Sequence, residues 1–316
     1  MQSPAPEVVT VTPNPAIDWT VEVPGFTPGA VNRVEGQRTR AGGKGVNVAA
    51  ALAEQGVRVA ATGFLGRGNS AAFEGFFAER GIADRFVRIA GETRVGIKVV
   101  DPVRRETTDV NFPGPASRPE DVRSLADAVS ALAAGEPRPW VVLAGSLPPG
   151  VDPALYRELA RTLKAAGCRV ALDTSGEPLR HALDAAPHIA KPNLHELEAL
   201  AGRPLPTVGA VVEAARALLE RGVELAVVSM GAEGALFVER GGVVLARPPA
   251  VEVGSTVGAG DAMVAGVVAG RLRGLATAEL ARLATAFSLH ALAGGAGDPS
   301  ASVERWARRV EVRPVP

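Results

Sequence analysis

Residues 140–150 read WVVLAGSLPPG, an apolar run that ends in glycine, serine and proline. An uninterrupted apolar run of about five residues is typical of a strand that is buried on both faces, as in a parallel sheet. We therefore predict a strand over Trp140–Ala144. Ligands of parallel α/β sheets bind beyond the carboxyl ends of the strands, so Ser146 is a candidate binding residue.

Strands of this kind recur along the chain in alternation with helical segments. Apolar runs predict further buried strands at Glu7–Thr12, Val57–Phe64, Arg169–Asp173, His188–Ala190 and Leu225–Ser229. Helical periodicity predicts helices at Lys44–Gln55, Asn69–Arg80, Glu120–Ala134, Pro153–Ala166, Leu194–Ala201, Val208–Glu220, Gly258–Arg273 and Ala276–Ala293. This alternation indicates an α/β fold with a mostly parallel central sheet flanked by helices.

Two segments depart from this alternation. Residues 20–40 and 93–111 mix polar and apolar side chains with proline and glycine between them. The pattern predicts short antiparallel strands with one face in water. We expect them to form a small sheet inserted into a single domain over residues 1–316, as a lid, a dimer surface or both. Residues 310–316 are expected to form a tail on the surface.

The composition narrows the range of functions. The chain has 316 residues, 47% of them hydrophobic, and its 34 basic residues balance 34 acidic ones. This balance gives no reason to expect binding to nucleic acid or to a membrane surface. No leader-like segment is evident, and Cys168 is the single cysteine, so we expect a cytoplasmic protein without an intrachain disulfide. The four histidines show no spacing typical of zinc ligands.

The segment Ser255–Asp261, which reads STVGAGD, leads from a glycine-rich turn into a predicted helix. Backbone N–H groups at such a start bind anions, and the helix dipole strengthens the attraction. An acid there would repel a phosphate that is merely held. The presence of this acid is explained if Asp261 accepts a proton from a hydroxyl. The amides of Gly258, Ala259 and Gly260 would then stabilise the phosphoryl group during its transfer. The alternative is an ordinary helix start with a favourable acid.

A second glycine-rich stretch, residues 41–47 (AGGKGVN), also opens a predicted helix. Glycine lets the backbone approach a ligand, Lys44 supplies positive charge, and Asn47 can both donate and accept hydrogen bonds. The stretch lacks the spacing of a Walker A loop. It therefore predicts a binding loop of another type, with a helix start without function as the alternative.

Three charged residues near the inserted sheet are candidate ligands of the substrate. Asp18 follows the first predicted strand, where it can accept hydrogen bonds from two sugar hydroxyls or act as a turn residue. Arg94 and Lys98 are four apart and lie on the same side of an extended strand. They can clamp a substrate phosphate, or simply form a solvated face.

Asn193 and Glu196 are three residues apart on the first turn of a predicted helix. Together they can hold waters around a Mg²⁺ ion that bridges phosphates, because Mg²⁺ keeps several of its waters in proteins. The alternative is a capping box, in which the two side chains satisfy each other's backbone. The neighbouring Lys191 and the Asp261 loop favour the metal.

Residues 66–71 (GRGNSA) present a competing motif, because they fit a loose dinucleotide-binding fingerprint. This loop does not follow the first strand, and Asp84 is expected to precede a strand rather than end one. A dehydrogenase using this loop is therefore a minor alternative.

Taken together, these motifs resemble the PfkB, or ribokinase-like, family of carbohydrate kinases. Residues 42–47 are similar to the first signature of that family, and Ser255–Asp261 to the second. Between them lie the further matching stretches 145–150, 191–198 and 229–235. The resemblance covers nearly the whole chain. It implies a three-layer ribokinase-like core with a small β-sheet lid.

The resemblance also implies an activity. It implies an ATP-dependent kinase acting on the C6 hydroxyl of fructose 1-phosphate, with tagatose 6-phosphate as the alternative sugar and a non-catalytic sugar-phosphate sensor as a less favoured reading. Gly96 stands where the resemblance leads us to expect asparagine, which bears on the choice of sugar. The resemblance implies Mg²⁺, a monovalent cation and a homodimer formed through the lid sheet as well.

The resemblance assigns roles to individual residues. Asp261 would be the base, and the amides of Gly258, Ala259 and Gly260 would form the anion hole. Substrate would be bound by Asp18, Gly42, Gly43, Lys44, Asn47, Arg94, Lys98 and Ser146. ATP would be bound by Lys191, Asn193, Ser229, Gly231, Gly234, Ser255, Val257, Gly258 and Gly260. Mg²⁺ would be held, through water, by Asn193 and Glu196.

Overall fold

A computed structural model describes residues 5–251, 258–294 and 302–315 of the chain. Its strands are β1 (Val8–Thr12), β2 (Ala16–Glu22), β3 (Gly36–Gly42), β4 (Val59–Gly66), β5 (Ala83–Asp84), β6 (Val87–Ile89), β7 (Val95–Asp101), β8 (Glu106–Asn111), β9 (Trp140–Ala144), β10 (Arg169–Asp173), β11 (Ile189–Ala190), β12 (Leu225–Ser229), β13 (Ala235–Glu239), β14 (Gly242–Arg247) and β15 (Glu311–Val315). Its helices are α1 (Lys44–Glu54), α2 (Ala71–Arg80), α3 (Pro119–Ala133), α4 (Leu155–Ala165), α5 (Gly176–Leu183), α6 (Leu194–Ala201), α7 (Val208–Glu220), α8 (Ala259–Leu272), α9 (Thr277–Leu292) and α10 (Val303–Ala307).

A large central sheet organises the fold. Within the described ranges, eleven strands form this sheet in the order β15-β14-β13-β12-β11-β10-β9-β1-β4-β5, and β6 also pairs with β4. The strands from β12 to β5 pair in parallel, as does β6 with β4. Strands β13, β14 and β15 continue the sheet in antiparallel pairing. The predicted mostly parallel sheet is therefore confirmed.

Helices cover both faces of the central sheet. One face packs against α1, α2, α8, α9 and α10, and the other packs against α3 to α7. Strands β1 and β9 are buried at every position, which is why β9 is apolar without interruption and β1 contains only valine and threonine. The predicted three-layer core, with helices on both sides of the sheet, is confirmed.

Close packing between α8 and α9 fixes the position of the α8 start. A Cβ atom on Gly266 of α8 would lie 2.6 Å from the Cα atom of Ala284 in α9, so the glycine lets the two backbones approach. A Cβ on Gly260 would lie 3.5 Å from Nζ of Lys191, which follows β11. The packing therefore holds the N-terminus of α8 beside the carboxyl ends of the parallel strands.

The two inserted segments form a separate four-stranded sheet in the order β3-β2-β7-β8, which we call the lid sheet. Pairs β2–β3 and β7–β8 are antiparallel as predicted, but β2 and β7 pair in parallel. The prediction of antiparallel strands is wrong at this central pair. Each segment is a hairpin, and the two first strands run side by side in the same direction. In this register Asp18 lies opposite Arg40 on one side and Gly96 on the other.

Other features also differ from the sequence-based expectations. Residues 311–315, expected to be part of a surface tail, form strand β15 against β14, because their backbone completes the hydrogen bonding of that strand. Helix α5 was not predicted, although its start follows β10 directly. None of the helices in the described part of the chain is long and apolar enough to cross a membrane.

Candidate active site

The candidate base lies at the first turn of α8 and is almost fully buried. Asp261 is 8% exposed, and Nδ2 of Asn47 on α1 donates a hydrogen bond of 2.8 Å to its Oδ2 atom. Gly258 caps the helix with a φ of 83°, in the left-handed region where glycine is favoured, and α8 begins at Ala259. The structure thus brings together the two glycine-rich helix starts that the sequence singled out.

The surroundings of Asp261 raise its pKa from the ordinary 3.8 to about 6. Burial is the largest cause, and the negative charge of Asp173 adds to it. The Asn47 hydrogen bond and the charges of Lys44 and Lys191 act in the opposite direction. A carboxylate whose pKa lies near neutrality is well suited to accept a proton from a hydroxyl in the course of a reaction.

Asp173, at the end of β10, holds two of the predicted lysines. Its Oδ1 lies 2.7 Å from Nζ of Lys44, and its Oδ2 lies 3.4 Å from Nζ of Lys191. Burial would raise the pKa of Asp173, but the two lysine charges outweigh it and the pKa is lowered. Burial would likewise lower the pKa of Lys44, yet the Asp173 charge and hydrogen bond raise it. Asp173 was given no role from sequence; an acid that ends a buried parallel strand was the available signal.

The lid sheet presents Asp18 between two glycines. A Cβ atom on Gly42 would overlap Oδ2 of Asp18, and one on Gly96 would lie 3.3 Å from its Oδ1. Nζ of Lys98 lies 2.7 Å from the same Oδ1. Absence of side chains at these two positions therefore makes room for the Asp18 carboxylate and its lysine partner.

Arg94 has different partners from Lys98, although the sequence placed the two together. Its guanidinium donates to the backbone oxygens of Asn14 and Phe112, at 3.3 Å and 3.1 Å. Burial lowers the pKa of Arg94, and the charge of Asp18 partly offsets this. Arg94 lines a cavity of about 530 Å³ together with Ser146, whose Oγ accepts a hydrogen bond of 3.1 Å from Asn14 Nδ2.

Asn193 and Glu196 form the capping box that the sequence offered as an alternative to metal binding. The backbone N–H of Glu196 donates to Oδ1 of Asn193 at 2.8 Å, and that of Asn193 donates to Oε2 of Glu196 at 2.9 Å. Glu196 also acts electrostatically on Lys44, which places its charge in the same site. The box involves one oxygen of the Glu196 carboxylate, so water-mediated metal binding by this residue stays a prediction.

The other predicted nucleotide residues lie at the ends of neighbouring strands. Ser229 ends β12 and forms a bridge with Asn193. Gly231 begins a short 3₁₀ turn and Gly234 follows it. A Cβ on Gly234 would overlap the backbone oxygen of Ala246, so this glycine also permits close packing. Ser255 and Val257 lie outside the described residues.

The competing loop at residues 66–71 is bonded to its own chain. The backbone N–H groups of Gly66, Arg67 and Gly68 donate to Thr93 Oγ1 and to backbone oxygens of residues 89 and 91. Asp84 ends the short strand β5, contrary to the expectation, but its carboxylate pairs with a neighbouring arginine. Amides that are engaged in this way are not free to bind a pyrophosphate, which disfavours dinucleotide binding.

Comparisons with known proteins agree with this geometry. The sequence profile described as "pfkB family carbohydrate kinase" matches residues 11–300. A 1-phosphofructokinase of Rhodobacter capsulatus is 50% identical over 98% of this chain and 98% of that protein. A 1-phosphofructokinase of Xanthomonas campestris is 50% identical over 92% of each chain. The tetrameric inhibited form of phosphofructokinase-2 from Escherichia coli and the same enzyme in complex with potassium both superpose with a TM-score of 0.88, at 28% identity over 96% of this chain and 98% of theirs.

Proposed function

Because this chain belongs to the pfkB family of carbohydrate kinases, we propose that it transfers a phosphoryl group from ATP to the C6 hydroxyl of fructose 1-phosphate. The observation that carries this proposal is the buried carboxylate of Asp261 at the start of α8, hydrogen-bonded to Asn47. The names of the relatives at 50% identity supply the sugar.

Asp261 accepts the proton of the C6 hydroxyl as the sugar oxygen bonds to the γ-phosphorus of ATP. The bond from that phosphorus to the β–γ bridging oxygen breaks, and ADP leaves. In this proposal the amides at the first turn of α8, from Gly258 to Asp261, stabilise the transferred phosphoryl group, because a helix N-terminus attracts anions. Lys44 and Lys191, both held by Asp173, place positive charge beside it. Catalysis then rests on positioning and on stabilisation of charge.

The sugar phosphate lies between the lid sheet and the core in this proposal. Asp18 accepts hydrogen bonds from sugar hydroxyls, and Gly42 leaves room for its carboxylate. We propose that the backbone of Gly42 and Gly43 approaches the sugar phosphate. Arg94 and Ser146, which line the cavity of about 530 Å³, bind the phosphate of the substrate. Lys98 pairs with Asp18 and places a positive charge beside the sugar phosphate.

The nucleotide lies along the ends of β11 and β12. Lys191, Asn193, Ser229, Gly231 and Gly234 line this region, with Gly234 in a packing role as well. Membership of a kinase family implies ATP and, typically, Mg²⁺, which neutralises phosphate charge when bound. The charge of Glu196 acts on Lys44, which places this acid close enough to the site to serve an ion that keeps most of its waters. Asn193 and Glu196 would hold it through water.

A panel of sugars tests the substrate. ADP release is measured with Mg-ATP and fructose 1-phosphate, fructose 6-phosphate, tagatose 6-phosphate, ribose or adenosine. We expect fructose 1-phosphate to give the highest kcat/KM. Preference for tagatose 6-phosphate would replace the substrate and keep the chemistry, whereas binding of fructose 1-phosphate without turnover would favour a sugar-phosphate sensor.

Replacement of Asp261 by asparagine tests the base. Asp261→Asn keeps an acceptor for Asn47 and removes the base, so kcat should fall by about 10² to 10⁴ while the sugar still binds. Asp127→Asn, an exposed change on α3, is the matched control and should leave kcat unchanged. Near-normal turnover of Asp261→Asn would refute the assignment.

The face of the lid sheet opposite Asp18 supports a homodimer. Trp19, Ile97 and Val110 form one cross-strand row on that face, and Trp19 and Val110 are 39% and 48% exposed. Light scattering should show a dimer that Trp19→Glu dissociates. The control Val103→Glu also replaces an exposed apolar side chain by glutamate, at a residue 71% exposed, and should leave the dimer intact. A monomeric protein, or an assembly insensitive to Trp19→Glu, would contradict this.

A monovalent cation and a cytoplasmic location complete the proposal. Phosphofructokinase-2 from Escherichia coli has been solved with potassium, and we propose a comparable ion near the start of α8. Replacing potassium by tetramethylammonium should then lower kcat. We place the protein in the cytoplasm, where its phosphorylated substrates are expected; recovery in a membrane or extracellular fraction would contradict this.

A further inference from the structure

Two hydrogen bonds connect the lid sheet to the candidate base through one side chain. Nη2 of Arg40, on β3, donates to Oδ1 of Asn47 at 2.8 Å. Nδ2 of Asn47 in turn donates to Oδ2 of Asp261, also at 2.8 Å. We infer that Arg40 is a positioning residue that acts on Asp261 through the amide of Asn47, an inference that rests on the proposed function.

The chemistry of the amide explains why it needs a partner on the lid. The oxygen and the NH₂ group of asparagine have nearly the same shape, so a rotation about the last side-chain bond exchanges them. Only one orientation donates to an ionised carboxylate; the other places oxygen against oxygen. An arginine can donate and never accept, so Arg40 accommodates only the orientation that turns the NH₂ group toward Asp261. Arg40 therefore selects the orientation that supports the ionised base.

The other charges around this connection are already balanced. Asp261 faces Lys44 from α1, Lys191 after β11 and Asp173 at the end of β10, and the two lysines pair with Asp173. Asp18 lies opposite Arg40 across the lid sheet, and its carboxylate is paired with Lys98. Three interactions lower the pKa of Asp261: the charges of the two lysines and the hydrogen bond from the uncharged side chain of Asn47.

This connection links the position of the lid sheet to the protonation of the base. Arg40 is exposed and lies on β3, whereas Asn47 and Asp261 lie on helices of the core. A displacement of β3 that withdraws the guanidinium leaves the Asn47 amide free to rotate. The rotated amide offers its oxygen to a protonated Asp261, so the base becomes less ionised near neutral pH.

The pH dependence of kcat/KM tests the inference. Arg40→Ala, Arg40→Lys and the control Arg38→Ala are compared with the wild type between pH 5 and 9. Arg38 lies on the same face of β3, opposite Thr20, so its removal costs the same charge without touching Asn47. The substrate phosphate titrates in the same range, but it is common to all four proteins.

We expect the acidic limb of the Arg40→Ala profile to move upward by roughly half to one pH unit, the effect of one hydrogen bond. Activity then falls about two- to fivefold at pH 6 and hardly at all at pH 8. Arg40→Lys, which keeps a charged donor, should restore most of the wild-type profile, and Arg38→Ala should match it.

Other outcomes would overturn the inference. A raised KM for the sugar phosphate with an unmoved acidic limb would make Arg40 a direct ligand of the substrate. An equal shift of the acidic limb in Arg38→Ala would show that the effect comes from overall charge and not from the hydrogen bond to Asn47. Failure of the proposed function is distinguishable, because the wild type would then turn over no sugar of the panel, or Asp261→Asn would stay active.

Discussion

Two buried carboxylates of the site have opposite pKa shifts, and we predict opposite effects on stability when each becomes asparagine. Burial and the Asp173 charge raise the pKa of Asp261 from 3.8 to about 6, so its ionised form disfavours the folded state. The pKa of Asp173 is lowered despite burial, because Lys191 and Lys44 favour its ionised form. Asp261→Asn should therefore stabilise the protein at pH 8, and Asp173→Asn should destabilise it.

The raised pKa of Asp261 sets the size of its effect on the free energy of unfolding. A difference of about two pH units corresponds to about 3 kcal/mol. This cost is absent well below pH 3.8, where Asp261 is protonated in both states, grows as the pH rises, and is complete above the folded-state pKa of about 6. Asp261→Asn should gain up to that amount at pH 8 and about half of it at pH 5.

Ionisation of Asp173 has the opposite effect on stability. Its ionisation contributes stability above its ordinary pKa of 3.8, and this contribution is lost as the pH falls through the lower folded-state value. Asp173→Asn also leaves two lysines without their buried partner. Breaking a buried ion pair by removing one partner typically costs 3–5 kcal/mol, so we expect a loss of about that size at pH 8.

Urea unfolding without nucleotide or sugar measures both effects, because ligands would add their own binding energy to the folded state. The variants are compared at pH 8 and pH 5, with Asp127→Asn on the surface as the control for loss of one negative charge. Equal stability of Asp261→Asn and the wild type at pH 8 would refute the reasoning, as would a stabilised Asp173→Asn.

Three further predictions follow from the geometry. Gly42→Ala should raise KM for the sugar phosphate at least tenfold with little change in Tm, because its methyl group displaces the Asp18 carboxylate. Gly266→Val should lower the free energy of unfolding by about 1–3 kcal/mol, measured in urea, since its side chain would clash with Ala284. Chelation of divalent cations should abolish turnover and leave Tm unchanged, because the described residues contain no cluster of three or more metal-ligating side chains. A normal KM for Gly42→Ala would contradict the first prediction, and an unchanged unfolding midpoint for Gly266→Val the second. A Tm lowered by chelation would contradict the third.

The core of the fold could be predicted because its signals are local. Apolar runs marked β1, β9 and β10 within a residue or so of their bounds, and helical periodicity did the same for α8 and α9. The parallel pairing of β2 with β7 depends on how two hairpins meet, which no short stretch of sequence determines. Strand β15 was missed for the same reason, since its partner β14 lies more than sixty residues earlier.

The site was predictable where one motif carries the chemistry and less so where distant residues combine. Asp261, Lys44 and Asn47 each stand in a glycine-rich helix start, and the structure brings them together. Asp173 was given no role because a strand-ending acid is common and because one of its two lysine partners, Lys44, lies 129 residues away in sequence. Arg40 was not identified from the sequence, because nothing in a polar strand distinguishes one exposed arginine from its neighbours.

Strand β15 also determines how the central sheet meets the solvent. At this edge, exposed Glu311, Arg313 and Pro314 present charge and a residue without an N–H group, while the opposite edge, β5, is two residues long. Both edges are thus poor templates for pairing with a second chain. Truncation after Val310 would uncover β14, whose Val243–Ala246 segment is apolar. Such a protein would be prone to aggregate through strand addition, so these last residues protect solubility as well as completing a sheet.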